Sequence, residues 1–575
     1  MTPITGHSKD NFGGWGATLV DSLDTLWIMG LSEELEEAID AATRISFEAS
    51  SLKEVNVFET TIRYLGGFLA AYDLTSDQRL LRKAREVGDM LYVAFDTPNR
   101  MPITRWDFES ATEGKEQTAG DWTLVAEIGS LCMEFTRLSL VTGNPKWFDA
   151  TERIREVFEA QQGSTSLPGM WPISVNPKDE KFNLDTTFGL GAMADSVFEY
   201  LPKMTALVGG LIPSYEAMYT YAIDTAMTHN LFRPITPDGA DILLSGTIHV
   251  KGKDGQSVPE LEVQGQHLVC FAGGMLALGG KLVRNETQIE VAKKLTDGCI
   301  WTYANMPLGI MPETFTMVPC KSQGTECAWD EAAWKRGVLE RAGEDNIHNL
   351  ERADQLIAER RLPRGFTSVP DTRYILRPEA IESIFILYRA TGRRELLDSA
   401  WAMFQAIEKH TRTELANSAL ADVTVTDGEP HQLDSMESFW LGETLKYFYL
   451  IFSEPDHISL DEYVFNTEAH PFRRYPITTC DLTNVPTSIK KPSNIHIIPK
   501  GTEPVIQPVV LCHRVIVSPK ALDIIRLPVL LPMGPKIVLA PRIVLAVVDH
   551  KSTPQDIVTD NEAARAQKPS GLTRL

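Results

Sequence analysis

Seven cysteines in 575 residues are too few to build a fold from disulfides, although they leave room for one or two structural bridges. Positive charge is also short: 55 basic side chains face 77 acidic ones, the formal charge is -22, and no basic run is interleaved with aromatics. That balance argues against a nucleic-acid partner. The first 470 or so residues hold no apolar run of membrane length and no Gly/Ser-rich or charge-rich linker. The N-terminal stretch Met1 to Asp10 has no apolar signal core, so the chain as written carries neither membrane segment nor address. No His/Cys spacing suits zinc, no glycine-rich loop suits a phosphate, and no nucleophile elbow occurs. Convincing period-two strand patterns are scarce before residue 230.

What remains is helical periodicity, in one long segment after another. Seven segments combine it with clustered acids, glycines and aromatics, at about 16–30, 57–73, 122–142, 188–205, 266–282, 374–391 and 436–453. Plainer amphipathic helices are expected between them, near 33–48, 76–94, 145–160, 212–229, 286–304 and 394–410. Several rich segments end in similar turns, at Asp73 to Asp77, Val141 to Pro145 and Ala390 to Arg393, which reads as a repeat. Stacked helical hairpins that close into a ring place the rich helices on the inner wall. The expectation is an all-α barrel over 1–472 with seven inner and six outer helices. The missing outer helix would precede Gly13, so the chain is expected to begin inside the barrel.

Polar loops at 96–121, 161–187 and 230–264 are expected to cover one mouth. A small peripheral hairpin is expected where Ile242 to Val250 meets the Gly-rich stretch Lys251 to Gly255. Fourteen of the 34 prolines lie from Pro471 onward, too many for long helices or central strands, so 473–575 is expected to be a poorly ordered tail without function.

The stretch Tyr374-Ile-Leu-Arg-Pro-Glu379-Ala-Ile-Glu382 sets two carboxylates and Arg377 around a helix start, with Pro378 as its first helical residue. In a first turn the helix dipole favours an ionised carboxylate, which suits Glu379 to the part of a general base. Taken alone, the stretch reads equally as an acidic first turn with an ordinary Arg–Glu pair. Glu59 and Arg63 lie one turn apart beside Phe58 and Ile62, either as a solvated surface pair or as a carboxylate oriented inside a cavity. Asp195 lies on another rich helix or is simply a helix-start aspartate, Glu127 faces apolar neighbours, and Phe439 precedes Glu443 by one turn. Aromatic faces beside carboxylates are what a sugar pocket needs. The cluster Phe465-Asn-Thr467-Glu468-Ala-His470 is a simple turn or a set of oxygen donors for a hard cation such as Ca²⁺.

These motifs, with the segment Gly13 to Trp27 and the segment His267 to Gly274, resemble glycoside hydrolase family 47, the class I α-1,2-mannosidases, in order over about residues 10–472. The resemblance implies an (α/α)₇ barrel, a Ca²⁺ ion, and inverting hydrolysis of terminal α-1,2-linked mannose on high-mannose N-glycans. It implies Glu379 as base, with Glu59 and Asp195 sharing the acid role. Arg63 beside Glu59 should favour its ionised form, which argues for delivery through a water or for Asp195 as donor. Thr467 would ligate Ca²⁺. Arg63, Glu127, His267, Arg377, Glu382, Phe439, Glu443 and Glu468 would line the sugar subsite. Inversion requires the acid and base carboxyls roughly 6.5–9.5 Å apart. Cys270 and Cys299 occupy the family's disulfide positions, implying an oxidising, secretory compartment; Cys320 and Cys327 are candidates for a second bridge. Met193 stands where endoplasmic-reticulum members carry an arginine, which resembles the more broadly trimming Golgi and secreted fungal members. A monomer is expected. The competing expectation is a mannose-binding quality-control factor of the same fold with little or no turnover.

Overall fold

The computed structural model of the chain describes residues 1–475 apart from Asp10, 254–255 and 322–326. The tail expected beyond the barrel lies outside the described residues after Tyr475.

The inner helices run through Leu23–Ile28, Gly66–Thr75, Cys132–Thr142, Asp195–Leu207, Phe271–Val283, Glu379–Thr391 and Leu445–Ile451. Each packs on the next, and the last segment, led in by Trp440–Thr444, returns to Leu23–Ile28 and closes the ring. Six return helices lie outside them: Ser32–Ala42, Gln78–Tyr92, Lys146–Gln161, Pro213–His229, Glu286–Asn305 and Glu395–Thr411. Seven inner and six outer helices are thus present among the described residues, at the positions the periodicity predicts. Because each of the first six inner helices is followed by an outer one running back, the inner helices are parallel and their N-termini share one mouth.

The outer helices are amphipathic because they bury one stripe; Gln78–Tyr92 buries Leu80, Ala84, Val87 and Leu91 and leaves its charged face to water. Inner helices are apolar nearly all round, as in Phe271–Val283, where nine of thirteen residues are buried. Small residues set how closely they approach. The Gly274 N–H donates to Ser383 Oγ at 2.7 Å across two inner helices. A Cβ on Gly67 would stand 2.8 Å from the Val20 carbonyl oxygen.

Three details differ from expectation. The fourth inner helix starts at Asp195 rather than near 188, because Thr187–Phe188 pairs with a strand and Met193 turns through φ 75°. Pro378 sits one residue ahead of the helix, at the cap position, with Glu379 as the first helical residue. A helical pair, Glu331–Ala342 and Leu350–Glu359, was not expected; it carries its own small core around Trp334, Val338 and Leu356. The peripheral hairpin is present, Thr247–Lys253 pairing antiparallel with Gln256–Glu262. Cys270 is bonded to Cys299 with Cα atoms 6.0 Å apart, Cys320 is bonded to Cys327, and Cys132 is a buried free thiol.

Gly67→Ala should lower stability by about 1–3 kcal/mol in chemical denaturation, since the added methyl meets rigid backbone rather than a movable side chain.

Candidate functional site

A short antiparallel hairpin, Tyr463–Phe465 with Pro471–Arg473, enters the barrel from the end opposite the inner-helix N-termini. Its tip, Asn466 to His470, is buried apart from Thr467, and five inner segments grip it. Asn466 Nδ2 donates to Ile62 O at 3.1 Å and Glu134 Oε1 at 2.7 Å. Lys203 Nζ donates to Asn466 O at 3.3 Å, and Lys446 Nζ to Ala469 O at 2.7 Å. His470 Nδ1 lies 2.8 Å from Asp24, and Thr467 N–H reaches the Tyr200 hydroxyl at 3.3 Å.

Above this floor is a cavity of about 200 Å³. Its wall brings together Glu59, Arg63, Asp195, Arg377, Glu379, Glu382, Phe439, Glu443, Thr467 and Glu468, ten of the twelve residues that sequence reading placed in the catalytic, sugar and metal roles. The other two stand behind or beside it. His267 is fully buried, with Nδ1 2.9 Å from Glu379 Oε2 and Nε2 2.7 Å from the Tyr303 hydroxyl. Glu127 is buried in an ion pair with Arg105 at 2.6 Å.

Local backbone irregularity aims several of these groups. Arg63 and Glu443 lie on π-helical turns, Thr60–Leu65 and Trp440–Thr444, whose extra residue per turn shifts side chains off the regular helical stripe. Three non-glycine residues with positive φ adjoin site residues: Met193 at 75°, Leu376 at 69° and Ala469 at 56°. Such strain persists only where the surroundings over-determine it. Met193 is also half-exposed, and its carbonyl accepts the Ala126 N–H at 3.1 Å.

The electrostatics are dominated by a surplus of acid, seven carboxyl groups against two guanidiniums in the wall. Arg63 is nearly buried and binds Glu59 at 2.8 Å, Glu468 at 2.6 Å and, more loosely, Asp21 at 3.6 Å. Lys203 pairs with Glu199 and, at 3.2 Å, with Glu382. These cations do not suffice. Burial pushes the carboxyls of Glu382, Glu443 and Glu468 well above the usual range, with neighbouring carboxylates adding to the rise. Burial likewise raises Asp195 to about 7, assisted by Glu199 and Glu379 against the opposing Ser196 N–H. Glu379 is the exception: burial would raise it, but Arg377 and His267 outweigh that and hold it below the ordinary value. Arg377 is itself fixed by Glu313 at 2.5 Å.

Sequence reading missed the supports Asp24, Glu134, Lys203, Glu313, Lys446 and Tyr303. The signal for some was there. Glu199 and Lys203, and Asp21 and Asp24, are charges inside otherwise apolar inner-helix segments, and an unexposed face must pair them.

Fold and cavity together define an (α/α)₇ barrel whose axis ends in a carboxylate-lined pocket. Residues 1–474 match the profile of Glycosyl hydrolase family 47, and the chain belongs to that family. It is 36% identical over 472 residues to mannosyl-oligosaccharide alpha-1,2-mannosidase IA of Spodoptera frugiperda, covering 81% of this chain and 62% of that protein. It is 34% identical over 475 residues to the endoplasmic reticulum mannosyl-oligosaccharide 1,2-alpha-mannosidase of Homo sapiens, covering 82% and 60%. The chain thus spans under two thirds of the length of these two relatives. Among solved structures, the alpha-1,2-mannosidase from Trichoderma reesei superposes with a TM-score of 0.70 at 30% identity, covering 83% of this chain and 94% of that one.

Lys446→Met should cost about 3–5 kcal/mol of stability, because Asp24 would be left buried with too little positive charge. A urea titration measures it; a loss under about 1 kcal/mol would mean the pair is not needed.

Proposed function

We propose that the chain is an inverting α-1,2-mannosidase that trims terminal mannose from high-mannose N-glycans. The observation that carries this reading is the opposed pair of carboxyls in one cavity, Asp195 raised to about 7 and Glu379 lowered. Near neutral pH Asp195 retains a proton to give to the departing oxygen, while ionised Glu379 can take one from a water attacking the anomeric carbon. Water adds to C1 as the C1–O bond breaks, and the two protons balance between base and acid. Glu59, bound to Arg63, orients the leaving side, so the acid role falls to Asp195. Phe439 offers an apolar face, and Glu382, Glu443 and Glu468 accept sugar hydroxyls. Glu127 with Arg105 would contact the glycan beyond the reacting sugar. Exposed Met193 at the mouth leaves room for more than one branch, which favours broad trimming.

The acid surplus also suits a cation. No three His, Cys, Asp or Glu side chains converge on a metal position among the described residues, so protein ligation would come from the Thr467 hydroxyl and carbonyl, the remainder being water. Ca²⁺ bound there would supply positive charge and hold sugar hydroxyls. The Cys270–Cys299 bridge and the relatives' names support a secretory compartment. No described helix is long and apolar enough to cross a membrane.

Incubation with an α-1,2-linked mannose disaccharide should release β-mannose, read by NMR. Release of the α-anomer would refute inversion, and glycan binding without turnover by folded protein would favour the lectin-like reading. Activity should fall on the alkaline side as Asp195 ionises near pH 7 and on the acid side below pH 4.5 as Glu379 protonates. Glu379→Gln and Asp195→Asn should each lower kcat by roughly a hundredfold or more.

The cation has a stability signature. Carboxyls raised above their unfolded values favour the fold below about pH 4.5 and oppose it increasingly as pH climbs through their folded values. Added Ca²⁺ relieves that opposition, so its gain in Tm should be larger at pH 8 than at pH 5. An equal gain at both would sink the proposed placement.

A further inference from the structure

We propose that Tyr303, on the outer helix Glu286–Asn305, is a positioning residue for the reaction: its hydroxyl satisfies Nε2 of the tautomer that Glu379 selects and so holds the His267 ring with its Nδ1–H on Glu379. This rests on Glu379 as the base.

The chemistry of the partners decides the protons. A carboxylate only accepts hydrogen bonds, so the contact between Nδ1 and Glu379 requires a hydrogen on Nδ1. A neutral ring then has a bare lone pair at Nε2, and the phenol O–H 2.7 Å away is the donor that satisfies it. Should the ring become an imidazolium, the same hydroxyl can turn and accept. His267 and Tyr303 are buried, so water cannot replace that partner, and the opposite tautomer would set a lone pair against the carboxylate.

The covalent framework holds the pair in place. Cys270 follows His267 by three residues and Cys299 precedes Tyr303 by four, about one helical turn in each case, so the disulfide ties together the two segments that carry the pair. The His267 N–H also donates to Glu313 O at 2.9 Å, and the ring packs between Tyr303 and Tyr374, with centroids 5.6 and 5.9 Å away. The remaining field at Glu379 comes from Arg377, with Glu313 behind it, from Asp195, Glu382 and Glu443, and from the buried Tyr374 hydroxyl, which also interacts with Tyr303. Tyr303→Phe leaves all of those groups in place.

The test has an arm that needs no activity. In protein labelled with ¹⁵N-histidine, the His267 signal, assigned by its loss in His267→Asn, should show hydrogen on Nδ1; hydrogen only on Nε2 would overturn the proposal. In Tyr303→Phe the hydrogen should stay on Nδ1, while the Nε2 signal should move toward that of an unbonded lone pair. With the mannose disaccharide, the acid limb of kcat/KM should shift upward by roughly 0.5–1 pH unit and kcat should fall about five- to tenfold with little change in KM. Tyr219→Phe removes another buried hydroxyl, bonded to Gln288 at 2.9 Å, and should lower stability without moving either readout. An unchanged Nε2 signal and acid limb in folded Tyr303→Phe would also overturn the proposal. Failure of the base assignment shows separately, as near-normal turnover by Glu379→Gln with the tautomer result intact.

Discussion

The structure depends on a polar plug. A hairpin tip, Asn466 to His470, is pushed into the end of an apolar ring, where bare backbone carbonyls and N–H groups would each cost free energy if left unmade. The ring meets it with buried side chains from five segments, and two of these are lysines. Buried lysines in turn demand carboxylates, which explains Asp24 beside Lys446 and Glu199 with Glu382 beside Lys203. The acid-rich cavity floor is therefore part of the solution to closing the barrel as well as the lining of a site.

That coupling explains why the floor is over-supplied with acid. Lys203 and Arg63 are each shared by several carboxylates, so the cavity wall retains uncompensated negative potential that the fold alone does not relieve. Replacing these acids with neutral groups would loosen the grip on the cations that hold the plug. Retaining them leaves a pocket lined by more acid than its two guanidiniums balance.

Much of this was legible in the sequence. The thirteen barrel helices followed from periodicity, and acids such as Glu59 and Asp195 stand out because inner helices must be apolar, whereas the sugar and metal roles of the other wall residues, Thr467 among them, came only from the resemblance to a known family. Less legible were positions fixed by tertiary contacts. Tyr303 is one aromatic among several on an amphipathic outer helix, and nothing local marks it as reaching His267. Lys446 follows Glu443 closely enough to read as a surface pair, yet it is fully buried against a residue more than 400 positions away. The pair Glu331–Ala342 and Leu350–Glu359 lacks the turn signature of the repeat and packs on a strand rather than in the ring.

The helix start that suggests Glu379 as a base is not what lowers its carboxyl. Asp195 and Glu379 are each the first residue of an inner helix, pointing into one cavity with the same dipole behind them, yet one is raised and the other lowered. A helix dipole contributes about 0.3–1 kcal/mol, less than one pKa unit, whereas burial can raise a carboxyl by roughly 3–5 units and an adjacent cation can lower it by about 1–3. Burial acts on both residues. Only Glu379 has Arg377 two residues before it and the Nδ1–H of His267 against its carboxylate, whereas Asp195 makes no ion pair among the described residues and Arg377 opposes Glu199 and Glu379 there without outweighing burial. The difference between the two carboxyls thus resides in Arg377, its clamp Glu313, and His267, rather than in the two carboxylates themselves.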